Sequence, residues 1–75
     1  MRAEHKLQYK RLGLNIAFYR RSRDMTQEKL AEKANISRTH MGRIETAECA
    51  VSLDVLFDIA NALEVEPYKL FQNKE

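Results

Sequence analysis

The chain has 75 residues, among them 13 Lys or Arg, 11 Asp or Glu, 2 Gly and 1 Cys. That length predicts one domain over residues 1–75, with no room for a ligand-sensing unit beside a binding unit. One cysteine excludes an internal disulfide. No apolar run is long enough to cross a bilayer or to form the core of a signal peptide, so a cytoplasmic protein without membrane contact is expected.

Residues 4–23 read as one long helix, with Leu12, Ile16 and Tyr19 at helical spacing and Arg20 beside them. Its first half carries Lys6, Lys10 and Arg11. Phe18 breaks the pattern and is expected either to pack on the N-terminal extension or to touch another subunit. Thr26 is a good N-cap for a second helix, in which Leu30, Ala31 and Ala34 share a face. Asn35 tolerates the positive φ that a sharp turn needs, and Ile36 can plug that turn. Ser37 caps a third helix running from Arg38 to Glu45. Ser52 caps a fourth over residues 53–63, with Leu53, Leu56, Ile59, Ala60 and Leu63 as its buried stripe and Asp54 at its positive end. A last short helix is expected to start near Pro67 and to offer Leu70 to the core. Residues 72–75 are expected to lack fixed structure. No segment alternates as a strand does, so the fold class is all-α with five helices, and the core spans about residues 8–71.

The segment over residues 26–45 is two short helices joined by a tight turn, the layout of a helix-turn-helix whose second helix enters the DNA major groove. Placed around the helix, Met41, Ile44 and Glu45 fall on one side with Ser37, and Arg38, Thr39, Gly42 and Arg43 on the other, with His40 at the border. Glycine inside a helix costs about 1 kcal/mol relative to Ala, and there it would let the backbone approach a ligand closely. A tolerated surface glycine between two solvated arginines would give the same pattern. Charge adds direction: residues 1–47 hold eleven Lys or Arg against five Asp or Glu, and residues 48–75 hold two against six. The resulting +6 and −4 would turn the N-terminal part toward a polyanion. Chemistry of other kinds finds no support: there is no defensible Ser-His-Asp or Cys-His spacing, no glycine-rich phosphate loop and no metal-ligand cluster. An enzyme, a cofactor, a metal and a small-molecule ligand are therefore not expected. A protein-interaction module on the same fold, such as an antitoxin or adaptor, is the alternative; apolar or acidic residues would be expected at positions 38, 39 and 43 in that case.

Gly13, Ile16 and Arg20, the run Thr26-Gln27-Glu28-Lys29-Leu30-Ala31, Ile36-Ser37-Arg38-Thr39, Ile44-Glu45, Ser52-Leu53, Ile59-Ala60, Leu63 and Pro67-Tyr68-Lys69-Leu70-Phe71 together resemble the DNA-binding domain of the Cro and phage-repressor class, the xenobiotic-response-element (XRE) family of bacterial regulators. The stretch Arg38–Glu45 looks most like the controller proteins of restriction-modification systems. The resemblance implies a lambda-repressor-like domain acting as a homodimer on a near-palindromic operator in double-stranded DNA. It implies base reading by Ser37, Arg38, Thr39 and Arg43, and phosphate contacts by Thr26, Gln27, Lys29 and His40. It also implies a structural ion pair between Arg20 and Glu45. A dimer contact is expected at Val65, Tyr68 and Phe71, because the acidic C-terminal part is apolar beyond its own needs. Two departures stand out. Asn35 replaces the family's usual Gly, and the loop Thr46-Ala47-Glu48 has neither the Gly nor the base common after the closing Glu.

Overall fold

The structure, a computed structural model, describes residues 1–73. A 3-10 turn at Ala3–His5 leads into α1, Lys6–Ser22, followed by α2, Gln27–Ala34, α3, Arg38–Glu45, and α4, Leu53–Leu63. A second 3-10 segment, Pro67–Phe71, ends the described chain. The expected fifth helix is thus not an α-helix, and four α-helices are present among the described residues. The reason is length: five residues beginning with a proline are too few to nucleate α-helical bonding, and short helical pieces relax to the tighter 3-10 form.

The starts of α2, α3 and α4 follow from their caps. The side-chain oxygens of Thr26, Ser37 and Ser52 accept hydrogen bonds from the backbone N–H groups of Lys29, His40 and Val55, at 3.0, 3.0 and 3.2 Å. Each α-helix is closed by a non-glycine residue of positive φ: Asp24, Asn35, Ala47 and Glu64. In each case the next residue's N–H reaches back five residues, from Met25 to Arg20, Ile36 to Ala31, Glu48 to Arg43 and Val65 to Ala60.

The buried faces meet in one core. Leu12 and Ile16 of α1, Leu30, Ala31 and Ala34 of α2, Met41 and Ile44 of α3, Leu56, Ile59, Ala60 and Leu63 of α4, and Leu70 all pack together. Helix α2 lies against both α3 and α4, while α1 crosses α3 and carries the Pro67–Phe71 segment. Buried Asn15 fastens that segment: its Nδ2 donates to the carbonyls of Leu70 at 2.8 Å and Gln72 at 2.7 Å. Gln72 is therefore held in place, contrary to the expectation for residues 72–75; residues 74 and 75 lie outside the described residues. Leu53 also departs from expectation. It is 63% exposed, because as the first residue of α4 it sits at the edge of the stripe and shares the outer face with Phe57, four residues on. Phe18 is 49% exposed and meets Tyr19 edge to face, with ring centroids 5.2 Å apart. Cys49 is half-buried against the core as a small apolar residue.

Candidate nucleic-acid interface

Helix α3 is amphipathic in a specific sense: Met41, Ile44 and Glu45 are buried, while Ser37, Arg38, Thr39 and Arg43 are exposed. His40 and Gly42 are half-exposed between them. No acid lies on the outward face, because the helix's own Glu45 is turned inward. Its carboxylate accepts from Arg20 Nε at 2.8 Å and from Arg20 Nη2 at 3.3 Å. Arg20 and Glu45 are 9% and 8% exposed. The third Arg20 contact is Nη1 to the carbonyl of Met25, 2.8 Å, so a buried guanidinium has partners on all its nitrogens. Burying charge is tolerable only when hydrogen bonding is this complete.

Gln27, the first residue of α2, joins the same cluster: its Nε2 donates to Glu45 Oε1 at 3.0 Å. The network thus links α1, α2 and the end of α3 through one carboxylate. Sequence reasoning placed Gln27 toward phosphate and did not find this contact, since nothing local distinguishes an amide that faces a carboxylate eighteen residues away. Thr26 caps α2, as above, and is exposed. Lys29 is also exposed, and its ammonium pairs with Glu32 at 3.0 Å. That hydrogen bond, reinforced by the Lys29 charge, holds the Glu32 carboxyl below its usual range. The residues proposed for dimer contact divide. Tyr68 and Phe71 are 59% and 56% exposed, whereas Val65 is half-buried and packs against the core.

Two more residues grip α3 from behind. Gly13 of α1 lies so close to the end of α3 that a Cβ there would stand 2.3 Å from the Glu45 carbonyl oxygen. Lys6 Nζ donates to the carbonyl of Ala47, just beyond α3. The contact role of neither was legible, since both are contacts across more than thirty residues of sequence.

A short helix that presents a cationic, acid-free face and is held from behind by the helix before it is a helix-turn-helix. A family model described as helix-turn-helix matches residues 16–70. The control protein C.SmaI of Serratia marcescens is 37% identical over 59 residues, 79% of this chain and 70% of that protein. The immunity repressor protein of Bacillus phage phi105 is 40% identical over 55 residues, 73% of this chain, which spans 38% of the repressor's length. Among solved structures, the restriction-modification controller protein C.AhdI from Aeromonas hydrophila superposes with a TM-score of 0.85 at 29% identity, over 87% of this chain and 98% of that one. The chain belongs to the helix-turn-helix family, in the XRE class of transcriptional regulators that also holds Cro and the phage repressors. These relatives are regulators rather than enzymes. No helix among the described residues is long and apolar enough to cross a membrane.

Proposed function

We propose that this protein is a cytoplasmic, sequence-specific transcriptional regulator that binds double-stranded DNA by laying α3 in the major groove, as a homodimer on a near-palindromic operator. The observation that carries the reading is the exposure of Arg38, Thr39 and Arg43 on a helix whose opposite face is locked into the core. Arginine suits guanine because its fork matches the O6 and N7 acceptors. Ser37 and Thr39, at the start of α3, fit contacts to bases or adjacent phosphates. Gly42 lets the helix backbone come near the groove floor.

Phosphate contacts then come from the start of α2. The Thr26 side chain takes the Lys29 N–H, so the amides of Gln27 and Glu28 serve the anion, with the helix dipole behind them. Gln27 keeps its carbonyl-side oxygen and one amide hydrogen for solvent or phosphate while the other hydrogen holds Glu45. Lys29 has to leave Glu32 to reach a phosphate, and half-exposed His40, at the border of α3, is the fourth proposed phosphate contact. The relatives' roles as control proteins and as a phage repressor support control of transcription as the purpose of this binding.

A gel shift against cognate and random duplexes in rising salt tests the reading. Arg38→Ala and Arg43→Ala should each lose about 1–3 kcal/mol of preference for the cognate site, with the fold intact by circular dichroism. Equal losses on both duplexes would reduce these arginines to phosphate contacts. No salt-sensitive binding by the parent protein would refute DNA recognition and favour a protein partner.

A further inference from the structure

We infer that Lys6 is a positioning residue for the recognition helix, anchoring the C-terminal end of α3 through the carbonyl of Ala47. The argument begins with how the four helices end. All four close with a left-handed residue followed by a backward hydrogen bond. In three of them the residue making that bond is apolar and packs on the core: Met25 after α1, Ile36 after α2 and Val65 after α4. Such an apolar anchor commonly accompanies this kind of cap. At the end of α3 the corresponding residue is Glu48, which is exposed. The recognition helix is anchored instead by the left-handed residue itself, Ala47, a single buried methyl where its three neighbours use a larger apolar side chain. Glu48 also has the wrong sign for the negative end of a helix dipole.

The Lys6 ammonium supplements that small anchor and offsets the misplaced charge. It binds the Ala47 carbonyl, and it sets a cation beside the C-terminal end of α3. Its place on α1 is not accidental. Lys6, Gly13 and Arg20 are spaced by seven residues, so they form a column along one face of the helix, drifting by only about 20° per step. All three meet the same short stretch. Lys6 takes Ala47, Gly13 abuts the carbonyls of Ile44 and Glu45, and Arg20 binds the Glu45 carboxylate. Arg43, whose carbonyl receives the Glu48 N–H, lies in the turn that this column holds. Loss of the Lys6 bond frees that turn and lets Arg43 wander from the position in which it reads a base. The last step rests on the DNA-binding reading; the capping of α3 does not.

Lys6→Met and Lys6→Arg separate the possibilities. Amide hydrogen exchange at Thr46, Ala47 and Glu48 should quicken about tenfold in Lys6→Met, stay as in the parent in Lys6→Arg, and leave Ile36 and Val65 unchanged in both. In DNA titrations Lys6→Met should bind the cognate duplex about fivefold more weakly, with random DNA and the slope of log K against log salt unaltered. Lys6→Arg should restore cognate affinity. Unchanged exchange at the three amides would overturn the inference, whatever the protein does with DNA. A salt slope reduced by about one, with cognate and random DNA weakened alike, would make Lys6 a phosphate contact and overturn it as well. If the parent protein binds no duplex, the proposed function fails and the exchange measurement alone decides the anchor.

Discussion

The two glycines of this chain have opposite reasons for being glycine. At Gly13 the constraint is internal, since a Cβ would lie 2.3 Å from the Glu45 oxygen and 2.8 Å from both the Glu45 carbonyl carbon and the Ile44 oxygen. These are backbone atoms and cannot turn aside, so Gly13→Ala has to push α1 off the end of α3. A loss of about 2–3 kcal/mol of stability is expected in urea titration, and an unchanged midpoint would show that the helices separate freely. At Gly42 the nearest neighbour of a Cβ would be Gln27 Oε1 at 3.7 Å, an ordinary contact. Nothing inside the protein requires a glycine there. Gly42→Ala should therefore stabilise the fold by about 1 kcal/mol, raising the melting temperature by roughly 4–8 °C for a domain of this size. It should also weaken operator binding, because the new methyl stands at the border of the outward face, beside Gln27. A stabilised variant that binds DNA as tightly as the parent would remove close backbone approach as the reason for Gly42.

At the scale of the helices, what is local was legible. Thr26, Ser37 and Ser52 mark helix starts because a hydroxyl near a free N–H is a short-range matter, and Asn35 marks an end because its φ preference travels with the residue. What escaped was non-local or cooperative. The Lys6 and Gln27 contacts join elements far apart in sequence, and how short the segment from Pro67 stays, which is why it winds as 3-10, depends on the support it finds on α1. Ala47 and Glu64 also escaped as left-handed residues, because neither type prefers that conformation. Glu64 offers a clean test. It has a φ of 59° and its side chain is exposed, while its carbonyl, which accepts from Arg23, is indifferent to the side chain. Glu64→Gly should remove about 1 kcal/mol of left-handed strain. Asn35→Gly should gain less, since Asn visits that region readily. A thermal melt in which Asn35→Gly gains as much as Glu64→Gly would refute this ranking. Ala47→Gly is a different case, because Ala47 is fully buried and its methyl would be lost from the core.

At the scale of the whole molecule, the charge separation divides the surface into two parts that suit the two proposed partners, while exposed apolar residues lie on both, Leu7, Leu14 and Phe18 among them on the basic part. The basic N-terminal part includes the outward face of α3 and the start of α2. The acidic part carries exposed Leu53 and Phe57 on α4, and Tyr68 and Phe71 on the 3-10 segment. Leu53 and Phe57 are four residues apart on an α-helix, and Tyr68 and Phe71 are three apart on a 3-10 helix, so each pair shares a face. Leu53 and Phe71, one from each pair, line one groove. Exposed apolar residues grouped in pairs of this kind suit a contact surface, and one recognition helix reads too few base pairs to select a site. Two copies related by a two-fold axis would set their α3 helices about 34 Å apart, one turn of DNA. Phe71→Glu, alone or with Tyr68→Lys, should then shift the protein from dimer to monomer in sedimentation at micromolar concentration, without unfolding it. Operator binding should fall far more than for a single half-site, because the second half-site contact is no longer made from a tethered partner. Val65→Ala should act mainly through stability, since Val65 packs inward. A parent protein that sediments as a monomer and occupies a full operator at one copy per site would refute the dimer. A monomer that pairs only on DNA would retain the two-fold contact as a weak one, made cooperative by the spacing of the half-sites.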